Sequence, residues 1–399
     1  MSNKLKLSNR VNDLMSSPIR KFWPLVMAAE KRGVEVLKLN IGDPDIPPPA
    51  EIVRGIKNIK AQNLGYAPSG GMVENVDAWR DYYKKFGIKL ERENIIPTVG
   101  ASEAILLAFL AVADSEEEIL VFEPLYASYK GLAKMAGVNL KPVTLRLENN
   151  FQLLETKEIE KKISKKTRAI VIINPDNPTG KVWSARELET ISQLAEKYNL
   201  YLIVDETYRE IVFRGKLKNI LTFAKTRERT ILIDSVSKRF SVPGIRLGAV
   251  VSFNKEIMGA ILKIAMVRLS APSVGQLATI EILKQAKKYT DKIRKEYQKR
   301  SQVALKELQK MSGVVFRESA GAFYQVVKLP IKDSEDFIRF MLEKFSYKNK
   351  TVLVSPMADF YITPGLGQNE IRLAYVLESK KLKEGVEILG RGLKEYLNK

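Results

Sequence analysis

Cysteine and histidine are both absent from the 399 residues, and the two gaps exclude a good deal of chemistry. Without cysteine there is no disulfide, no thiolate nucleophile and no redox compartment to infer. Without histidine there is no Ser-His-Asp triad, and with neither there is no Cys/His zinc site. A magnesium site built from carboxylates alone survives in principle, but no ligand cluster suggests one, and no metal is expected. General acid–base work must fall to Lys, Tyr, Asp or Glu, which makes a lysine catalyst the first thing to look for. Long apolar runs are missing as well. The longest, Ala104 to Ala113, is far too short to span a bilayer. The stretch Met1 to Lys6 lacks the apolar core of a signal peptide, so a cytoplasmic protein is expected.

What remains is an ordinary globular composition, 45% hydrophobic and 28% charged, on a chain long enough for a large domain plus a smaller one. The net charge of +20 raises the question of a polyanionic partner. The basic residues, however, are spread through helical stretches such as Lys284 to Lys310 and interleaved with Glu and Gln. That pattern reads as a solvated lysine-rich surface, with no nucleic acid and no membrane as partner.

From Ile96 to Phe253, short β-rich runs alternate with helical patterns. Glu118–Phe122, Ala169–Ile173, Tyr201–Val204, Thr230–Ile233 and Ala249–Val251 are apolar nearly throughout, as strands buried on both faces should be. The segment Ala185 to Tyr198 carries Leu188, Ile191, Leu194 and Ala195 at helical spacing. Such alternation predicts an α/β fold with a mixed, mostly parallel sheet covered on both sides. Beyond it come a long amphipathic helix (Thr279 to Met311), a strand over Gly321–Val327, a helix over Ser334–Phe345, a strand over Glu370–Val376 and a terminal helix. These predict a smaller α+β domain. The division expected is 48–283 for the large domain, with 1–47 and 284–399 forming the small one.

In parallel sheets, ligands sit at the carboxyl ends of the strands. Three successive predicted strands end in reactive residues: Asn174 and Asn177, then Asp205 and Tyr208, then Ser235, Ser237 and Lys238, with Arg246 following. An amine nucleophile, hydroxyls and an arginine for a phosphate, and a carboxylate with a phenol are what pyridoxal phosphate needs. The lysine would hold it as a Schiff base, and the acid would keep its pyridine nitrogen protonated.

Taken in order, Leu39-Asn40-Ile41-Gly42-Asp43-Pro44-Asp45, Tyr66-Ala67-Pro68-Ser69-Gly70-Gly71, Gly100-Ala101-Ser102, Asn174 to Gly180, Asp205 to Tyr208, Lys238 to Arg246 and Ile371-Arg372-Leu373 resemble the class I/II aminotransferases. These are pyridoxal-phosphate enzymes of the aspartate aminotransferase fold type (fold type I), and the resemblance covers nearly the whole chain. It implies that Lys238 both condenses with the cofactor aldehyde and moves the substrate proton, its pKa depressed by Arg246 and the iminium. It implies that Asp205 faces the pyridine nitrogen, although an aspartate after a strand can equally cap a helix. Tyr208 and Asn177 would bond the ring oxygen, although Asn-Pro-Thr-Gly is good turn chemistry whatever its function. Ala101 and Ser102, opening the apolar helix, would join Ser235, Ser237 and Arg246 around the phosphate; Ser102 could also be only an N-cap. The resemblance places Tyr126 on the pyridine face, unless it is a core tyrosine. It brings Tyr66 to the phosphate from a neighbouring subunit, hence a homodimer with shared sites.

Arg372 interrupts an apolar strand, where a charge is costly unless paired. The resemblance pairs it with a substrate α-carboxylate, with the backbone at Gly42 closing over it; an internal salt bridge is the other explanation. The implied function is transfer of an amino group from aspartate or a similar donor to a 2-oxo acid such as 2-oxoglutarate. The stretch Phe360 to Gly367 resembles thermophilic aspartate aminotransferases, and Arg268, Arg20 and Lys21 are candidate partners for an acidic side chain. Alanine and aromatic donors remain open. The alternatives are a lyase or synthase of the same fold, or a non-catalytic regulator that keeps the core.

Overall fold

The computed structural model describes residues 5–12, 14, 17 and 20–399. Seven strands form the main sheet: β1 (Ile95–Thr98), β2 (Glu118–Glu123), β3 (Asn139–Thr144), β4 (Thr167–Ile173), β5 (Tyr201–Asp205), β6 (Thr230–Ser235) and β7 (Gly248–Val251). Their order is β1-β7-β6-β5-β4-β2-β3, parallel except for β7, which runs antiparallel to both its neighbours.

The strands are apolar throughout because each successive side chain meets a different core. Leu202, Val204, Ile170, Ile172 and Leu232 pack into one cluster, and Ile203, Val171, Ile173, Ile231 and Ile233 into the one across the sheet. Helices between the strands cover both faces. One of them, Ala185–Lys197, starts at a capping box in which Ser184 and Glu187 bond each other's backbone N–H. The sheet is therefore mixed and mostly parallel, as expected, but with two strands more than the sequence suggested. The additions, β1 and β3, are the two edges, and each carries a proline (Pro97, Pro142). A missing N–H is tolerable on an edge and argues against a strand when read from sequence.

A third apolar cluster gathers residues from both ends of the chain, among them Phe22, Leu37, Ile293, Phe323, Ile371 and Leu389. Its framework is a four-stranded antiparallel sheet in which Tyr324–Lys328 pairs with Glu370–Ala374. A parallel pair, Glu35–Lys38 with Lys350–Leu353, and the terminal helix Ser379–Leu397 complete it. The long helix begins earlier than expected, at Ser273, and runs to Leu308 with a non-helical break at Gln285 (φ −120°, ψ 18°). Lys85 donates to the carbonyls of Leu283 and Lys284 at that break, meeting acceptors that the interrupted ladder releases. Among the described residues no helix is long and apolar enough to cross a membrane.

Candidate active site

A cavity of about 600 Å³ opens at the C-terminal ends of β4, β5 and β6, with Arg372 and Tyr324 on its far wall. The residues predicted to hold the cofactor and the substrate α-carboxylate line it except Tyr66, which is 86% exposed and outside it; Asn174 is buried outside it too, its amide oxygen accepting the Trp183 N–H at 3.2 Å. The three strand ends are adjacent in the sheet, so the parallel arrangement brings their reactive residues together.

Lys238 sits in the four-residue helix Val236–Arg239, directly after β6. Ser235 caps this helix, its hydroxyl accepting the Ser237 N–H at 3.2 Å. The Lys238 amine reaches into the cavity and donates to the Gly42 carbonyl at 2.8 Å. Burial lowers its pKa to about 8, helped by the guanidiniums of Arg372 and Arg246 and opposed by the Asp43 carboxylate. The sequence reading put Arg246 and the iminium first. Desolvation is in fact the leading cause, because the short helix turns the amine inward. Gly42 is required where it stands: a Cβ there would overlap the Tyr324 hydroxyl.

Asp205 ends β5 and is buried. Its carboxylate accepts the Thr207 N–H at 2.9 Å and the Tyr129 hydroxyl at 2.9 Å. Burial pushes its pKa up, and these bonds pull against that without cancelling it. It closes a turn rather than capping a helix, and it faces the cavity as well. Tyr208 is buried one turn on, its hydroxyl 2.9 Å from that of Tyr324. Tyr126 is half-buried at the wall.

At one corner every group is a donor. The helix Gly100–Val112 starts with Gly100 at φ +73°, which places Ala101 and Ser102 in its first turn, where backbone N–H groups have no helical partner. Val99 occupies the N-cap position, so Ser102 is not the cap that the plain reading allowed. Arg246, itself left-handed at φ +56°, is held by the carbonyls of Pro243 (3.1 Å) and Val99 (3.2 Å). Side chains at Gly100 or Gly248 would close this corner: a Cβ at Gly100 would come within 2.7 Å of the Arg246 guanidinium, and one at Gly248 within 2.7 Å of Gly100 itself. Ser235 bonds to the Ser237 hydroxyl (2.9 Å) and the Leu247 carbonyl (3.1 Å), and both serines line the cavity. Among the described residues, the only acids lining the cavity are Asp43 and Asp205. A phosphate at the donor corner, a ring over Asp205 and an aldehyde near Lys238 match this distribution of charge, so the residues present fit pyridoxal phosphate.

Arg372 is fully buried between the rings of Tyr324 (4.3 Å) and Phe360 (5.0 Å). It donates to the Asn177 amide oxygen at 2.9 Å, the Asn40 carbonyl at 2.6 Å and weakly to the Ser355 hydroxyl. These partners are neutral, so the internal salt bridge weighed from the sequence is not what holds it. Asn177 spends its oxygen on Arg372, which leaves its amide nitrogen as the donor.

Of the three candidate cations for a substrate side chain, Arg20 lines the cavity. Lys21 is bound to Glu335 and Asp359. Arg268 lies outside the cavity, on Glu103 (3.0 Å) and the Pro97 carbonyl (2.7 Å). Sequence reasoning missed Tyr129, Tyr324 and Asp43. Tyr129 follows Tyr126 by three residues on the helix that starts at Ser128, a spacing that could have drawn attention to it.

A family model described as aminotransferase class I and II matches residues 34–389. An aspartate aminotransferase of Pyrococcus horikoshii is 34% identical over 98% of each chain. A (5-formylfuran-3-yl)methyl phosphate transaminase of Methanocaldococcus jannaschii is 32% identical over 98% of this chain and 100% of its own. Among solved structures, an alanine aminotransferase of Pyrococcus furiosus superposes with a TM-score of 0.89 at 28% identity, covering 98% of this chain and 100% of that one.

Proposed function

Since the chain belongs to the aminotransferase class I and II family, we propose that its cavity holds pyridoxal phosphate and moves an amino group from an acidic amino acid, aspartate or one like it, to a 2-oxo acid such as 2-oxoglutarate. The observation that carries this reading is the pairing, across one cavity, of a desolvated lysine amine with a buried arginine whose partners are all neutral. Bound pyridoxal phosphate supplies an aldehyde for an amine and a ring that accepts electrons while its nitrogen stays protonated.

Each residue then has a physical task. Lys238, with a pKa near 8, is a substantial fraction neutral near pH 8, so its nitrogen can attack a carbonyl and later carry a proton. Asp205 has its pKa raised by burial, and a cationic ring nitrogen against it would restore its ionised form. Tyr129 and the Thr207 N–H aim that carboxylate. Tyr208 and the Asn177 amide can donate to the ring oxygen, and Tyr126 can lie on the ring face. Ala101, Ser102, Ser235, Ser237 and Arg246 surround the phosphate. Arg372 offers its fork to the α-carboxylate beside Gly42, and Arg20, which lines the cavity, meets the side-chain carboxylate.

The same reading assigns 48–283 to the cofactor-binding domain and 1–47 with 284–399 to the small one; the break at Gln285 and the separate third core support that division. It also calls for a second copy of the chain. Tyr66 is exposed, as are Leu64, Val267 and Leu269, and in a homodimer Tyr66 would enter the partner's phosphate corner. The relatives bear names for different substrates, so the donor is settled by assay. Protein incubated with pyridoxal phosphate, aspartate and 2-oxoglutarate should make glutamate; consumption of aspartate without glutamate would favour a lyase.

A further inference from the structure

The strand ends that carry Asp205 and Lys238 carry a second set of charges, none of which lines the cavity. Glu206 follows Asp205 and Arg239 follows Lys238; both are buried, as are Arg209 and Asp234. Asp234, in β6, accepts the Arg239 guanidinium, the Tyr83 hydroxyl at 2.6 Å and the Ser235 N–H at 2.7 Å. Arg209, just beyond β5, lies 3.4 Å from Glu206 and reaches across to Asp234 at 3.7 Å. Arg239, just beyond β6, reaches back to Glu210 at 3.8 Å. Each guanidinium therefore crosses from one strand end to the other, in opposite directions. Both stack on rings of the helix Val73–Lys84 or its end: Arg209 on Tyr83 (4.8 Å) and Phe86 (4.4 Å), Arg239 on Tyr82 (4.6 Å).

Stability alone does not explain such a cluster. Well-packed apolar residues commonly serve a buried site at least as well as ion pairs do. Neither Glu206 oxygen accepts a hydrogen bond, so the set is not tuned for its own satisfaction. What a guanidinium supplies and an apolar side chain does not is a directional fork. We propose that this buried double cross-link is a positioning device: it holds the segments bearing Asp205 and Lys238 in register and so sets how tightly the cavity grips pyridoxal phosphate. The proposal rests on the cofactor reading above.

The test compares Arg239→Met, Arg239→Lys and Tyr83→Phe with the unsubstituted protein. Two quantities are read: the Kd for pyridoxal phosphate from quenching of intrinsic fluorescence, and the pH midpoint of the bound cofactor's visible band. The melting temperature of cofactor-free protein reports the fold separately. Arg239→Met should raise Kd at least tenfold and displace the midpoint, with Arg239→Lys recovering part of both. Tyr83→Phe removes only a hydroxyl from Asp234, so it keeps the packing and decides the matter if Arg239→Met does not fold. It should raise Kd about threefold. Lowered melting temperatures with Kd and midpoint unchanged would overturn the proposal and leave the cluster a purely structural role. Failure of the unsubstituted protein to bind pyridoxal phosphate would overturn both readings, whereas normal binding with insensitive variants overturns this one alone.

Discussion

Arg372 and Arg239 are both fully buried and both stacked on aromatic rings, yet their surroundings are opposite. Arg239 meets the carboxylates of Asp234 and Glu210. Arg372 meets an amide oxygen, a backbone carbonyl and a hydroxyl. Burying a charge is costly unless an opposite charge is supplied. For Arg239 the chain supplies it; for Arg372 the described residues supply neutral partners alone, which is why the proposed function gives it a substrate carboxylate. Residue type and burial are the same in the two places, and only the partners differ: carboxylates for Arg239, neutral groups for Arg372.

The largest expected effect lies at the cavity. Replacing Lys238 with Ala should cut turnover by about 10³-fold or more, since both nucleophile and proton carrier go; a coupled glutamate assay reads this directly. The two arginines come next and should fail in opposite ways. Arg372→Met should lower kcat/KM for aspartate by about 10²–10⁴-fold, the worth of two charge-assisted hydrogen bonds at ~1.5–3 kcal/mol each, while denaturant unfolding shows stability unchanged or improved. Arg239→Met should lower stability by about 3–5 kcal/mol, because Asp234 then loses its hydrogen-bonded cation and keeps only Arg209, farther off at 3.7 Å. Equal losses of stability in the two variants would erase the distinction.

A pH series sharpens it. Burial raises the Glu206 carboxyl to about 7, against the pull of Arg209 and Arg239 and with the repulsion of Asp205. The folded chain thus keeps a proton that the unfolded chain releases near the ordinary value of 4.5. Stability from this group is present below that value, declines as pH rises to about 7, and stays low above it. Glu206→Gln should remove the decline, making the variant relatively more stable at pH 8 than at pH 4; a parallel pair of curves would contradict it. The smallest effect expected is at Tyr129. Losing its bond to Asp205 in Tyr129→Phe should cost ~1 kcal/mol, or about fivefold in pyridoxal phosphate affinity by titration.

The cavity was more legible than the cluster behind it, for physical reasons. Apolar strands announce themselves, and Lys238 and Asp205 follow directly after two of them or close one; Arg372 breaks a third apolar run, which marks it at once. The sheet's edges were hidden because Pro97 and Pro142 argue against strands. Tyr129 and Tyr324 were missed because a tyrosine beside apolar residues reads as core until its hydroxyl is seen to bond Asp205 or Tyr208. Glu206, Arg209 and Arg239 stand among polar residues beyond the strand ends, a pattern that suggests solvent, yet the two guanidiniums are buried against the rings of Tyr82, Tyr83 and Phe86. Arg268 shows the reverse error. As a candidate it rested on sequence position, and its side chain is committed to Glu103.

The central claim is that one amine at the cavity wall carries the cofactor, and borohydride reduction tests it most directly. Protein mixed with pyridoxal phosphate, reduced, digested and mapped by mass spectrometry should carry the reduced adduct on the peptide containing Lys238, and the Lys238→Ala variant should carry none there. Adduct spread over surface lysines, with the Lys238 peptide unmodified, would contradict the account.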